Sequence, residues 1–412
     1  MPLSIDEARP RGPLRSNSDF QLLWTGQAVS VLGSYVTGIA YPLLILAMTG
    51  SPATAGVARF LGTLPYILFQ LPAGAVVDRV NRRRLMIACD VGRMLAIASI
   101  PLAAWLGVLS VVQIVVVAFV EASLFVWFRL AEQSAIRMVV HPEHYSAALS
   151  QNEARIRAAT LFGSPIGGFL FDLGRTLPFL ADALSYLISL VTLLFIRAPF
   201  EEARNAERRH VLVEIREGFT WLLGQPYILI TNLVASTSNA IFQIVVLVVI
   251  VAQQHRGASG SLIGLTLAGL GVGGLAGSVA GGWLARRVRP NTIVLITVWL
   301  WAALTPLVGL IENTVLLMAV LGVVSGMGAV WNIAGNTIYF RLVPDRLIGR
   351  VSSVGSMTTF GALPIGALAA GLMVQAFGPT TAGFMAGALM LVLAAVTTAV
   401  PSVRRGPAVS PR

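Results

Sequence analysis

From residue 20 onward, long apolar runs alternate with short polar breaks, and the breaks hold most of the charge. A membrane-spanning helix needs about 20 mostly apolar residues, because the hydrocarbon core is about 30 Å thick and each residue rises about 1.5 Å. By that measure the pattern predicts twelve spans, over residues 20–48, 54–77, 85–107, 109–138, 146–172, 176–197, 226–253, 259–285, 291–311, 313–340, 351–376 and 379–401. The fourth and fifth carry charges inside the run. The first is too long for the apolar region of a secretory leader; Pro10, Pro13 and three Arg precede it, and no small-residue cleavage site follows it. The predicted fold class is an all-α integral membrane protein.

The longest polar stretch, residues 198–210, divides the spans six and six. This places an N-terminal six-helix bundle at 1–197, a linker at 198–225 and a C-terminal six-helix bundle at 226–412. Within the linker, Leu212, Ile215, Phe219 and Leu222 recur at helical spacing with Glu214 and Glu217 opposite. That pattern predicts an amphipathic helix lying in the membrane interface; a simple extension of the seventh span is the alternative. The halves also resemble each other. Val140-His141-Pro142-Glu143 after span four matches Leu342-Val343-Pro344-Asp345 after span ten, and Pro165-Ile166-Gly167 matches Pro364-Ile365-Gly366. Ala73-Gly74 before Asp78-Arg79 corresponds to Gly281-Gly282 before Arg286-Arg287. Duplicated six-helix units are how many secondary transporters are built, with the substrate site near mid-membrane between the halves.

Composition agrees with the pattern. Hydrophobic residues make up 56% of the chain and charged ones 11%, where a soluble domain carries about 25% charged residues. Disorder is excluded too, since it needs low hydrophobicity and high charge. The net charge of +11 comes from Arg alone, as Lys is absent. The Arg residues gather in the N-terminal segment, the 2–3, 8–9 and 10–11 loops, the linker and the tail, while only Arg175 and Arg256 fall in loops of the opposite side. That bias predicts both termini in the cytoplasm and argues for membrane topology rather than a nucleic-acid partner. The lone Cys89 excludes an intramolecular disulfide. The four His lack metal-ligand spacing, and no nucleophile elbow or phosphate-cradling Gly-x-x-x-x-Gly-Lys occurs. No catalytic residue, metal or cofactor is expected, and the chain reads as something other than an enzyme.

One stretch carries a family resemblance. Gly74, three residues, Asp78-Arg79, Val80, Asn81, Arg82-Arg83, at the end of span two, closely resembles the loop signature of the major facilitator superfamily. Asn81 stands in the place of that signature's second Gly, a mild change because Asn tolerates left-handed backbone. Phe20 to Gln27, Ala181-Asp182 to Ser185, and Val343-Pro344-Asp345 to Val351 look like the branch of enterobactin exporters and macrolide efflux proteins. Gly163-Ser164-Pro165-Ile166-Gly167-Gly168 is similar to the antiporter signature Gly-Pro-x-x-Gly-Gly, with Ser164 in the Pro place. The resemblance implies twelve helices in two pseudo-symmetric bundles and a monomer in the bacterial inner (plasma) membrane. It also implies a conformational latch made by Gly74, Asp78, Arg79, Arg82 and Arg83, with Asp78 at the positive end of the eleventh span, near Gly349 to Ser353. The bland reading of these Arg is that they only fix topology.

Polar residues inside spans usually face a cavity or another helix. Span one has Gln27, Ser34 and Tyr41; span two has Arg59, Thr63, Tyr66 and Gln70; span seven has Asn232, Ser236, Asn239 and Gln243; span ten has Asn332, Asn336 and Tyr339. The resemblance puts spans one, four, seven and ten on the central pathway with span two beside it, so these stripes are expected to line the substrate cavity; hydrogen bonding between helices is the alternative. Intramembrane charges are confined to the first half: Arg59, Asp90, Arg93, Glu121, Arg129, Glu132, Glu153, Arg155, Arg157 and Asp182. Glu121, near the middle of span four, is the expected proton-coupling carboxylate, with Arg59 or Arg129 as its partner and Asp182 as the next candidate. Arg129 with Glu132, and Asp90 with Arg93, are expected to be simple pairs three residues apart. Gly269, Gly273, Gly277 and Gly281 form a close-packing stripe. The leading expectation is proton-driven export of small amphiphilic molecules. Uptake by symport and a non-transporting receptor are the alternatives, and an integral-membrane enzyme is the weakest. The expected partners are a small-molecule substrate, protons and lipid.

Overall fold

The computed structural model describes residues 13–77, 80–197, 211–344 and 347–406. Among these residues the regular structure is helical. A bilayer leaves no water for exposed backbone, so a spanning chain satisfies its N–H and C=O groups inside helices. The α-helices are α1 (Ser18–Thr49), α2 (Pro52–Val77), α3 (Arg82–Trp105), α4 (Val111–Val139), α5 (Tyr145–Leu173), α6 (Leu177–Phe195) and α7 (Val211–Leu223). They continue as α8 (Pro226–His255), α9 (Gly260–Arg287), α10 (Pro290–Leu304), α11 (Thr314–Leu342), α12 (Ile348–Phe360), α13 (Leu363–Ala399) and α14 (Pro401–Arg405). Nine stretches among the described residues are long and apolar enough to cross a membrane.

Local chemistry sets the ends. Ser110, Ser259 and Asn313 accept hydrogen bonds from the backbone N–H three residues on, at the starts of α4, α9 and α11, supplying acceptors to otherwise orphaned donors. Asn81 does the same for Arg84 at the start of α3. Its backbone is extended (φ −64°, ψ 111°) rather than left-handed, so Asn is favoured here as a helix cap, not as a stand-in for glycine.

The pattern read 351–376 as one span, but the helix is interrupted after Phe360. Pro364 sits in the first turn of α13, where its missing N–H costs nothing. Farther along, Gly378 takes φ 75° and kinks α13 before Pro379, a left-handed backbone that glycine alone adopts without strain. The matching Pro165 lies inside an unbroken α5, so the two halves differ where their sequences are alike. The helix over 211–223 is separate from α8, with Pro226 beginning the next helix. On α7, Leu222 is buried and Phe219 exposed.

The chain divides into two compact units: Met1–Leu44 with Leu61–Ala206, and Ile45–Phe60 with Glu207–Arg412. In the first, Phe20, Leu23, Met86, Cys89 and Phe128 form a buried core. In the second, the glycine stripe of α9 lies on α11: a Cβ at Gly273 would collide with the Gly322 carbonyl, and one at Gly277 with that of Gly326. Close approach of small residues is how helices associate without a hydrophobic driving force. Ile45–Phe60 packs on α13, where a Cβ at Gly56 would stand 2.6 Å from the Gly371 Cα, and Ser51 donates to Gln375 at 3.0 Å. Large apolar side chains such as Leu95, Val112 and Val279 are exposed, as expected of surfaces that meet lipid.

Candidate functional site

The first unit buries a charged centre assembled from α1, α3, α4 and α6. Arg93 on α3 is 1% exposed, and its Nη2 donates to Glu121 Oε1 on α4 at 3.0 Å, to the Tyr186 hydroxyl on α6 at 2.6 Å and to Ser34 Oγ on α1 at 3.1 Å. The Tyr186 hydroxyl in turn donates to Glu121 at 3.0 Å. The guanidinium lies 4.1 Å from the Tyr186 ring centroid and 5.1 Å from that of Phe125. Aromatic faces attract a cation electrostatically, and a guanidinium accepts such stacking better than an ammonium. Nη1 faces Asp90 Oδ1 at 3.9 Å, too long for a hydrogen bond, and that oxygen accepts none among the described residues.

Around this centre the polar groups form short chains. Ser189 donates to Asp90 Oδ2 at 2.6 Å and accepts from Gln27 Nε2 at 2.8 Å. Asp182, fully buried, accepts from Thr37 at 2.9 Å and Ser185 at 3.0 Å. Gly33 is what admits it, because a Cβ there would collide with Asp182 and Ser185. Two carboxyl groups, Glu121 and Asp90, therefore face one guanidinium, with Asp182 held by hydroxyls nearby. Of the three, Glu121 has a side chain 16% exposed, whereas Asp90 and Asp182 have none of their surface in contact with solvent.

The sequence expects Arg59 or Arg129 beside Glu121; the structure places Arg93 against it. Arg129 lies 80° round α4 from Glu121 at 100° per residue, is exposed, and has no partner among the described residues. Glu132 pairs across helices with Arg155 at 2.8 Å rather than with Arg129. Arg59 is exposed on α2 and belongs to the second unit. Gln27 and Ser34 are spent on hydrogen bonds between helices. Tyr41 packs edge-on against Phe179, its buried hydroxyl without a hydrogen-bond partner among the described residues. Tyr66 lies 6.1 Å from Phe125, and Gln70 is half-buried on α2. The hub Arg93 was read as a local partner of Asp90. No local signal marks its role, since the groups that hold it lie 28, 59 and 93 residues away.

Of the latch residues, Asp78 and Arg79 lie outside the described residues, and Gly74 is helical within α2. Arg82 is buried, with Nη1 3.5 Å from Met138 Sδ. Arg83 donates to the Leu193 and Leu194 carbonyls at 3.1 and 2.6 Å. Those are unsatisfied acceptors at the negative end of α6, a favourable seat for a cation.

The second unit contains a cavity of about 320 Å³ between α8, α11 and α12, lined among others by Asn232, Asn332 and Asn336. Ser236 is buried, Asn239 donates to the Thr359 carbonyl at 3.1 Å, and Gln243 is half-buried; none of the three lines the cavity. No group of three His, Cys, Asp or Glu among the described residues is placed to hold a metal ion.

Comparison with known proteins places the chain. The family profile described as transmembrane secretion effector matches residues 8–409. The multidrug efflux pump Tap of Mycolicibacterium fortuitum is 28% identical over 387 residues, covering 90% of this chain and 93% of that protein. Macrolide efflux protein A of Streptococcus pyogenes is 21% identical over 392 residues, covering 94% and 96%. Among solved structures, a nucleoside transporter, NupG, aligns with a TM-score of 0.72 at 14% identity, over 93% of this chain and 99% of that one. A likeness at that identity speaks for the fold alone.

Proposed function

This chain belongs to the transmembrane secretion effector family of major facilitator transporters, and from that premise we propose that it exports small amphiphilic molecules across a bacterial plasma membrane in exchange for protons. The direction is supported by the efflux proteins it resembles. Twelve spans in two six-helix halves, both termini cytoplasmic, suit the Arg distribution along the loops. Residues 198–225 join the halves, α7 lying in the interface. In this reading α12 with the start of α13 makes the eleventh span, and the twelfth follows the kink at Gly378.

The observation that carries proton exchange is the buried Arg93–Glu121 pair. A charged group in the bilayer core costs about 2.5–3.5 kcal/mol even on lenient scales, so acids persist there where they have partners or work to do. Here two acids, Glu121 and Asp90, compete for one cation, and of these Glu121 alone touches solvent. A proton arriving at Glu121 cancels its attraction for Arg93, and the guanidinium then turns its Nη1 the short distance to Asp90 Oδ1. α3 and α4 thereby lose one tie and α3 gains an internal one. Two arrangements of one cation, chosen by one proton, are what alternating access needs. Asp182, held by Thr37 and Ser185, is the reserve acid. In the same reading Asp78, in the loop motif after α2, is the latch residue, and Asn232, Asn332 and Asn336 contribute to the substrate cavity.

Everted membrane vesicles energised by respiration test the proposal. They are expected to accumulate a radiolabelled macrolide and to lose it when a protonophore is added. Accumulation in right-side-out vesicles instead would reverse the direction and favour symport.

A further inference from the structure

Where α9 ends and α10 begins, the second unit gathers cations that have no acidic partner among the described residues. Arg286 and Arg287 close α9, Arg289 precedes Pro290 at the first turn of α10, and Arg404 and Arg405 end α14. The tail is pinned at this corner: Val403 is fully buried, and Asn291 Nδ2 donates to the Arg404 carbonyl at 2.8 Å. All five Arg are exposed. Arg83, Arg155 and Arg350, by contrast, are each spent within the fold, on the carbonyls that end α6, on Glu132 and on Glu217. Fixing topology asks only that Arg lie on one side of the bilayer. It does not ask that five of them be folded together against their own repulsion. The surface of α9 that leads to the cluster is apolar. Val272, Leu275, Val279 and Trp283 are exposed and fall within about 80° of one another round the helix at 100° per residue, with Arg286 in the same sector. The Arg287 guanidinium stands 4.5 Å from the Trp283 ring centroid, so ring and cation meet where the apolar stripe gives way to charge. Trp is suited to that level of a bilayer, with an apolar body and a polar edge.

We propose that this corner binds an anionic phospholipid with two phosphates, of the diphosphatidylglycerol type. Its acyl chains lie along the stripe of α9, which runs about 12 Å from Leu275 to Trp283. One phosphate sits with Arg286 and Arg287 beside Trp283, and the other with Arg289, Arg404 and Arg405. Guanidinium groups suit phosphate oxygens because they donate in pairs from a fixed plane. A zwitterionic headgroup brings a cation of its own among the five Arg, and a free phosphate ion has no chains to lay on the stripe. Basic pockets beside spanning helices are the usual seats of such doubly charged headgroups. The bound lipid ties the tail to the end of α9, two segments that the chain itself leaves unjoined by any ion pair among the described residues. Such a site depends neither on the direction of transport nor on protons.

The test is thermal unfolding of the full chain in a nonionic detergent, titrated with one compound at a time. A ligand that binds the folded chain raises its melting temperature by mass action. Diphosphatidylglycerol is expected to do so at lower concentration than phosphatidylglycerol, which has one phosphate. Phosphatidylcholine and inorganic pyrophosphate should leave the melting temperature unchanged. Each Arg near an anionic headgroup adds about 5-fold in affinity, so Arg404→Gln with Arg405→Gln should raise the titration midpoint by about 25-fold. Arg286→Gln with Arg287→Gln should do likewise. Arg175→Gln, exposed in the turn between α5 and α6, should leave the midpoint in place. Without lipid, the Arg404 and Arg405 pair of changes should melt within about 2 °C of the parent, as expected where exposed side chains lose no partner. Stabilisation by phosphatidylcholine equal to that by diphosphatidylglycerol would mean that any lipid serves, and stabilisation by pyrophosphate would assign the corner to a soluble anion. A midpoint unmoved in either paired variant, or moved as far by Arg175→Gln, would place the lipid elsewhere. Any of these results, or no stabilisation by any lipid, would overturn the proposal. None of them bears on the export reading, since no transport is measured.

Discussion

Replacing Arg93 by Leu removes the cation that Glu121 and Asp90 face, and the structure sets the size of the effect. The guanidinium gives hydrogen bonds to Glu121, Tyr186 and Ser34 and stacks on Tyr186 and Phe125, all at 1% exposure. Removing one member of a buried ion pair costs about 3–5 kcal/mol, mostly because the charge left behind is uncompensated. Glu121 retains the Tyr186 hydroxyl and some solvent, which puts the expectation near the lower end, at about 3 kcal/mol. For a domain of about 150–250 residues each kcal/mol moves the melting temperature by about 2–4 °C, so a fall of about 6–12 °C is expected for the first unit. The assay is thermal unfolding of purified protein in detergent, followed by intrinsic fluorescence. The companion is Arg93→Leu with Glu121→Gln, which removes the stranded charge. The double variant should melt above the single one, since the two sites are coupled. A single variant within 2 °C of the parent, or a double variant whose losses simply add, would refute the role of Arg93 as the hub.

Other outcomes follow from particular contacts. Gly273→Val should disrupt the seam of α9 and α11, because its side chain meets the Gly322 carbonyl, whereas Gly282→Ala, with open space around it, should express and melt like the parent; size-exclusion profiles would tell them apart. Ser189→Ala removes the donor to Asp90 and the acceptor for Gln27 and should cost about 1–3 kcal/mol, read as a lower melting temperature. Glu217→Gln breaks the pair between α7 and Arg350 at a half-exposed site. It should change stability by no more than about 1 kcal/mol, and less in high salt. Asp78→Asn should leave insertion and melting intact but reduce vesicle transport severalfold, as expected for loss of about 0.3–2 kcal/mol at a helix end; wild-type transport at equal expression would sink the latch.

The helical membrane fold was legible because bilayer thickness imposes a length and an apolarity that a single sequence displays. Glycine spacing on α9 likewise announced a close neighbour, since small residues four apart form a groove wherever the partner comes from. The break between α12 and α13 is less visible: apolarity runs straight through Gly361, and only backbone chemistry divides it, whereas the kink at Gly378 falls where the pattern ends one span at 376 and begins the next at 379. Legibility of the site followed the same line. Asn332 and Asn336 lie on one face of one helix, and sequence spacing reports a face. The Arg93 centre instead draws its ligands from four helices, and spacing within one helix says nothing about partners on another. Glu121 is therefore visible in the sequence as an acid within a span, whereas its contact with Arg93 is not.

The central claim is that Glu121 carries the exchanged proton, and Glu121→Gln in proteoliposomes tests it most directly. Two modes should be measured on the same preparation with a radiolabelled macrolide: transport driven by an imposed pH gradient, and exchange of labelled for unlabelled substrate without a gradient. A fixed neutral amide cannot cycle a proton but can still pass through the loaded states. The gradient-driven mode should therefore fall to background while exchange persists at a rate within severalfold of the parent. Glu121→Gln vesicles that still concentrate substrate, and still lose it when the pH gradient is collapsed, would contradict the claim and pass the role to Asp182.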